Sequence, residues 1–223
     1  MYLLWFLVGL IGFFHPLTAV AGCPKSGQPG VYSKQSIRLC FQNFDNGQRF
    51  LEILSPDQSV TLVIKGDEAE LSIAGHSVGS FPASRDQEVL WSPDSRALIV
   101  TSSFGASGPT AAYVKPVPGK GLPEMPDPTA AIRRNFACQH HGVECSELVN
   151  VGGLGWIDGS RNALFVAQIP STPECGNDWG YFDVYVISNP KGKIVRVYRM
   201  AVALMHFKSF LGPSLRRDVP KLK

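Results

Sequence analysis

The chain is a succession of short apolar runs, many of them rich in β-branched residues, separated by Pro, Gly, Asp and Ser. The clearest example is residues 88–101, where two apolar runs flank Ser92-Pro93-Asp94-Ser95. Proline favours the first corner of a turn, and aspartate bonds the backbone amides that follow it. Because the loop is short, the two runs are predicted to pair as an antiparallel hairpin.

Two other stretches repeat this pattern. Residues 53–57 are followed by an apolar run at 60–64, and residues 155–161 are followed by another at 163–167. Asp57 and Asp94 lie 37 residues apart, a spacing within the period of propeller and solenoid repeats. Asp158 comes 64 residues after Asp94, so the pattern predicts an insertion, which we assign to residues 116–150.

The remaining elements complete a mainly antiparallel, all-β prediction. Further strands are predicted at residues 36–41, 50–54, 69–74, 110–114, 181–187 and 194–199. One short helix is predicted at residues 130–138 within the insertion, because Pro128 stands near its first turn. Residues 200–211 fit either a helix or a buried closing strand. The prediction is a single β-rich domain over residues 36–223, in about three units.

The stretch that begins at Trp91 reads W-S-P-D-x-x-x-L-x-V. It resembles the blade motif of TolB-type and WD-like β-propellers, which usually carry Gly where this chain has Ser95. The resemblance implies propeller-like blades. Three units are fewer than the four to eight blades of a closed propeller, so an open or incomplete arrangement is expected. The insertion and the C-terminal segment would then cover the free strand edges.

Residues 1–22 have the character of an export signal. Residues 3–14 form an apolar run too short to span a bilayer, and small residues that end in an A-x-A pattern follow it. No Lys or Arg precedes Lys25, so the usual positive start is missing. Residues 23–35 are polar and rich in turn formers, which predicts a linker or a loosely docked arm.

The segment Val20-Ala21-Gly22-Cys23 resembles a bacterial lipobox, in which Cys23 would be lipidated. That resemblance implies a periplasmic protein attached to the membrane surface through Cys23. Ordinary cleavage after Ala21 is the alternative and implies a free periplasmic or extracellular protein.

An exported chain tends to pair its cysteines in disulfides. If Cys23 carries lipid, four cysteines are left for two bridges, namely Cys40, Cys138, Cys145 and Cys175. If it does not, a Cys23–Cys40 bridge with one thiol left over is the alternative. A Cys138–Cys145 bridge is the favoured pairing. A zinc site that uses these two cysteines with His140 and His141 is the alternative, because Cys and His are the usual zinc ligands.

Gly75-His76-Ser77-Val78-Gly79 matches G-x-S-x-G, the nucleophile elbow of α/β-hydrolases. Ser77 would be the nucleophile and His206 its base, oriented by an aspartate such as Asp158, Asp178 or Asp183. The context opposes this interpretation, because the elbow must lead into a helix and Ser80-Phe81-Pro82 follows instead. A serine esterase or lipase is therefore kept only as the alternative function.

Charge is unevenly distributed along a chain whose net charge is +3. Residues 191–223 carry nine basic residues and only one acidic residue, Asp218. This predicts either a basic face for an anionic partner or membrane headgroups, or a solvated tail. Nucleic-acid motifs are missing. No cofactor is expected, and no metal apart from the alternative zinc site. We therefore predict a non-enzymatic binding or assembly module that presents loops to an envelope protein or ligand.

Overall fold

A computed structural model describes residues 28–39, 51–65, 67–84, 87–103, 108–140, 148–170, 175 and 180–217. The strands are β1 (Gln28–Pro29), β2 (Ile37–Arg38), β3 (Leu51–Leu54), β4 (Val60–Lys65), β5 (Glu68–Ile73), β6 (His76–Pro82), β7 (Gln87–Trp91), β8 (Ala97–Ser102), β9 (Ala111–Pro116), β10 (Asn150–Ile157), β11 (Asn162–Gln168), β12 (Phe182–Ser188) and β13 (Ile194–Arg199). The helices are α1 (Thr129–Gln139), α2 (Met200–His206) and α3 (Ser214–Arg217).

The strands form three antiparallel sheets. The first sheet has the order β3-β4-β5-β6, the second β1-β2-β7-β8-β9, and the third β10-β11-β12-β13. Consecutive strands are neighbours throughout the first and third sheets, as in a simple meander. The protein is therefore all-β and mainly antiparallel, in the open, blade-like arrangement that was predicted.

The second sheet lies between the other two. Val89, Leu98 and Val100 pack in an apolar cluster with the first sheet, whereas Leu90, Ala97 and Ile99 pack in another with the third sheet and α1. Both faces of β7 and β8 are thus buried. This explains why residues 88–101 lack the alternation of polar and apolar residues that marks a half-exposed strand.

The three repeated turns are joined in series from sheet to sheet. The amide of Asp57 donates to Ser95 Oγ at 3.0 Å, and the amide of Asp94 donates to Ser160 Oγ at 3.3 Å. Gln58, Ser95 and Ser160 each precede their strand by two residues and have left-handed φ angles of 60°, 59° and 72°. We refer to residues 55–59, 92–96 and 158–162 as the turn series.

The N-terminal segment is docked. Buried Glu88 accepts hydrogen bonds from the amides of Val31 (2.7 Å) and Tyr32 (3.2 Å) and from Ser36 Oγ (2.6 Å). The hydroxyl of Ser33 donates to the carbonyl of Leu154 at 2.6 Å. Of the two alternatives for this segment, residues 28–35 therefore form a docked arm and not a linker. Residues 1–27, including Cys23 and the predicted export signal, lie outside the described residues.

The helices cover strand edges and sheet faces. Thr129 in α1 exchanges hydrogen bonds with Ala112 on β9, the edge strand of the second sheet. Helix α2 packs on β12 and β13, with Met200 and Ala203 buried in a cluster on the third sheet. The helix predicted at residues 130–138 is confirmed, and residues 200–206 form a helix rather than a strand. Among the described residues, no helix is both long and apolar enough to span a bilayer.

Candidate functional site

The structure does not assemble the serine hydrolase site. Ser77 lies on β6, which follows β5 through a two-residue turn at Ala74 and Gly75, both with positive φ. The motif therefore sits in a β-hairpin of the first sheet instead of a strand-to-helix elbow. Asp158 belongs to the turn series and the exposed His206 ends α2, both in the part of the fold built on the third sheet.

The cysteines differ from the favoured pairing. Cys138 is a free, exposed thiol, so the predicted Cys138–Cys145 bridge is wrong. The reason lies in α1, which turns Ile132 and Phe136 into the core and leaves Cys138 on its outer side. Cys175 is disulfide-bonded, and its partner lies outside the described residues.

Several of the predicted ligands and site residues cannot be placed. His141, Cys145 and Asp178, like Cys23 and Cys40, lie outside the described residues. Within the described part of the chain, no three His, Cys, Asp or Glu side chains are grouped as metal ligands would be.

A polar cluster that the sequence did not predict lies where α1 ends against the third sheet. Its centre is Asp183, which is fully buried on β12. Arg199 faces Asp183 across the β12–β13 ladder and donates to its Oδ2 at 3.0 Å. His140, directly after α1, places Nε2 2.9 Å from the same oxygen. We call these three residues, with Tyr181 and Tyr185, the Asp183 cluster.

The proton on His140 decides between two bonding patterns. Nε2 of His140 also lies 2.5 Å from Nη1 of Arg199. A protonated Nε2 can donate to Asp183, and an unprotonated one can accept from Arg199, but a single nitrogen cannot do both. The cluster can therefore change its hydrogen bonds without any movement of the backbone.

Aromatic rings enclose the cluster. The ring of His140 lies 4.3 Å from Phe136 and 4.8 Å from Tyr181, measured between centroids. Burial raises the pKa of Tyr185, and the negative charge of Asp183 raises it further. The pKa of Tyr181 is raised by the same two causes in the same order. Both phenols therefore stay protonated and can donate hydrogen bonds at neutral pH.

Two buried oxygen atoms in the cluster have no hydrogen-bond partner, namely Asp183 Oδ1 and Tyr185 Oη. Arg199 and His140 both contact Asp183 through Oδ2. The hydroxyl of Tyr181 also hydrogen-bonds to this carboxylate, while Oδ1 has no partner. A buried polar atom without a partner costs about 1–3 kcal/mol. Arg199 and His140 keep 44% and 17% of their side chains exposed, so the cluster is reached from its cationic edge.

A second polar feature is an open cleft of about 260 Å³ between β9 and the loop before α1. Lys115, Glu124 and Asp127 line it, and both acidic residues are exposed to solvent. Exposed charges in an open cleft lose little hydration, so this feature resembles ordinary protein surface more closely than the Asp183 cluster does.

The Asp183 cluster could have been suspected from one signal in the sequence. In Phe182-Asp183-Val184-Tyr185-Val186, a charged residue interrupts an apolar strand, and Asp183 and Tyr185 share a face because strand side chains alternate. The partners of Asp183 were not evident, since His140 is 43 residues and Arg199 16 residues away. Comparison with known proteins adds nothing to the assignment, because no family model and no curated protein matches the chain.

Proposed function

We propose that the protein is an exported, non-enzymatic binding or assembly module of the cell envelope, and that the Asp183 cluster is its binding site. The export signal predicted for residues 1–22 supports the location. The observation that carries the binding role is the pair of unpartnered buried atoms, Asp183 Oδ1 and Tyr185 Oη. Trp91 Nε1 and Asn189 Oδ1 are also buried without a partner. The cluster differs from them because its two unpartnered oxygens accompany a fully buried carboxylate that bonds to the partly exposed Arg199.

The chemistry of the cluster defines what its ligand must offer. Arg199 presents a partly exposed guanidinium, which binds carboxylate and carbonyl oxygens well. The free oxygen of Asp183 accepts a hydrogen bond, and the hydroxyl of Tyr185 donates or accepts one. Because Asp183 and Tyr185 are fully buried, the ligand must project a small polar group past Arg199 to reach them. A partner protein or envelope ligand that carries such a group fits this set of residues.

The decisive experiment separates binding from stability with Tyr185→Phe. This change removes a hydroxyl that has no partner, so the folded protein should be as stable as the wild type or more stable. If the hydroxyl serves a ligand, recovery of the partner should fall at least about fivefold, the equivalent of one lost hydrogen bond. Quantitative co-purification of tagged protein from its native envelope, together with thermal unfolding, measures both effects.

Tyr113→Phe is the matched control, because Tyr113 is a partly buried tyrosine on β9 of the second sheet. It should leave partner recovery unchanged. Equal recovery of the same partners by wild type and Tyr185→Phe would show that the cluster only supports the fold.

The serine hydrolase alternative has no structural observation in its favour, since Ser77 lies in a hairpin and its hydroxyl hydrogen-bonds to Glu70. A fluorophosphonate probe should therefore leave Ser77 unlabelled. Labelling that disappears in both Ser77→Ala and His206→Ala would overturn the binding role in favour of hydrolysis.

A further inference from the structure

Helix α2 is apolar on both of its sides. Met200 and Ala203 are buried against the third sheet, as expected for the inner side of a surface helix. On the outer side, Val202 is 36% exposed and Met205 is 72% exposed. A surface helix normally turns polar residues to solvent, so the outer side of α2 has the composition of a covered surface.

Exposed apolar side chains are concentrated in this region. Of the five large hydrophobic residues that are exposed in the described part of the chain, Val195, Val202 and Met205 lie within β13 and α2. The other two, Leu54 and Leu148, lie on β3 and ahead of β10. Single exposed apolar residues need no explanation, but a local group of them marks an interaction surface.

The chain segment that forms this surface is rich in positive charge. Residues 184–217 contain no Asp or Glu. Six of their basic residues are exposed, namely Lys191, Lys193, Arg196, Arg199, Lys208 and Arg216. The uneven charge of the sequence is therefore displayed on the folded surface and is not confined to a tail.

Ring contacts place a cation on the α2 side of β13. The guanidinium of Arg196 lies 5.0 Å from the ring centre of Tyr198. The ring of Tyr198 in turn lies 6.1 Å from His206 and 5.0 Å from Phe207, at the end of α2. Arg196 thus stands on the side of the sheet that carries Val202 and Met205.

A second basic group lies beyond the C-terminal end of α2. The carbonyl of Lys208 accepts hydrogen bonds from Lys34 Nζ and Arg216 Nη2, both at 3.3 Å. The side chains of Lys34 and Arg216 are thereby held together at the backbone of Lys208, just beyond the end of the helix. We call Arg196, Val202, Met205 and Lys208 the α2 face.

We propose that the α2 face docks on an anionic lipid surface, with Val202 and Met205 inserted among the lipids and the basic residues on the headgroups. Apolar residues with flanking Lys and Arg are the composition of helices that lie in the membrane interface. Protein interfaces are poor in Lys at their centre, and nucleic acid gives exposed Met and Val nothing to insert into. This surface is separate from the Asp183 cluster, and the proposal does not depend on the function of that cluster.

Vesicle sedimentation tests the proposal on the full chain with Cys23→Ser, so that a lipid on Cys23 cannot contribute. Binding should be strong on vesicles that contain phosphatidylglycerol, weak on pure phosphatidylcholine, and reduced by salt. Arg196→Gln and Lys208→Gln should each weaken binding about fivefold. Met205→Ser should weaken it about tenfold, since an inserted side chain is lost.

Matched controls exist on other parts of the molecule. Arg134→Gln removes an exposed arginine from α1, and Leu54→Ser removes an exposed apolar residue from β3. Both should bind vesicles as the parent chain does. Equal binding to neutral and anionic vesicles would overturn the proposal. It would equally be overturned if the α2-face variants and the controls bound alike.

Discussion

The turn series and the Asp183 cluster are both polar, yet they satisfy their hydrogen bonds in opposite ways. In the turn series, amides at two successive turns donate to serine hydroxyls of the next turn. In the Asp183 cluster, two donors converge on one carboxylate oxygen while the other oxygen and a tyrosine hydroxyl have no partner. The first region contains paired groups that join the sheets, whereas the second leaves buried groups unpaired.

This difference separates polar groups that hold the sheets together from polar groups that remain available. Complete pairing within the protein explains the turn series by folding alone. Incomplete pairing in the Asp183 cluster lowers stability, and proteins keep such costs mainly at sites with a function. The comparison depends on measurable stabilities, and substitutions at three residues, Arg199, Ser95 and Asp57, test it.

Arg199→Ala should have the largest effect, a loss of about 2–3 kcal/mol in the free energy of unfolding, because a charge-assisted hydrogen bond is lost from an arginine that is 44% exposed. The substitution leaves Asp183 charged, fully buried and without its cross-strand partner. Urea denaturation measures the loss. A loss below about 0.5 kcal/mol would mean that water or His140 already balances the charge, and the contrast between the two regions would fail.

The double variant Asp183→Val with Arg199→Ala is the control for that experiment. It removes the buried charge together with its partner, so most of the lost stability should return. If the double variant is no more stable than Arg199→Ala, the loss comes from packing of the arginine stem and not from charge.

The turn series could be predicted from the sequence because each turn is specified by residues that are neighbours in the chain. Pro56, Pro93 and the aspartates that follow them specify turns within a few residues, whatever the rest of the chain does. The hairpins on either side, the helix in the insertion and the three-unit organisation were predicted for the same reason. What the sequence did not show is that Ser95 and Ser160 hydrogen-bond to neighbouring turns, since that depends on how the sheets stack.

The features that the sequence did not predict mostly depend on contacts between residues far apart in the chain. The docking of residues 28–35 depends on Glu88, which is 57 residues from Val31. The Asp183 cluster depends on a helix end 43 residues away. Strand β6 was missed for a different reason, because its small residues at positions 75–79 matched a catalytic motif and obscured the strand pattern.

Substitution of Ser95, in the turn series, should lower stability less than Arg199→Ala does. Ser95→Ala should cost about 0.5–1.5 kcal/mol, because it removes the acceptor of the partly buried link to the Asp57 amide. Ser95→Gly loses the same hydrogen bond but relieves a left-handed φ of 59°, so it should cost about 1 kcal/mol less. Denaturant unfolding of the two variants gives both values. If Ser95→Gly is as stable as the wild type, the relief of φ offsets the lost hydrogen bond. If Ser95→Ala is as stable as the wild type, this hydrogen bond does not help to hold the sheets together.

Asp57→Asn should have the smallest effect on stability, and the effect should be seen only at acid pH. The hydroxyl of Ser55 and then the amide and hydroxyl of Ser59 hold the pKa of Asp57 below its ordinary value of 3.8. Because the folded protein favours the ionised form, its contribution is complete above the unfolded pKa and is lost as the pH falls towards the folded pKa. Between about pH 4 and pH 2 the wild type should therefore lose stability more steeply than Asp57→Asn. Glu52→Gln, an exposed carboxylate on β3, is the control and should follow the wild-type curve. Parallel curves for wild type and Asp57→Asn would show that the hydroxyls of the turn series do not favour its carboxylate, and that the turns are held by their backbone amides alone.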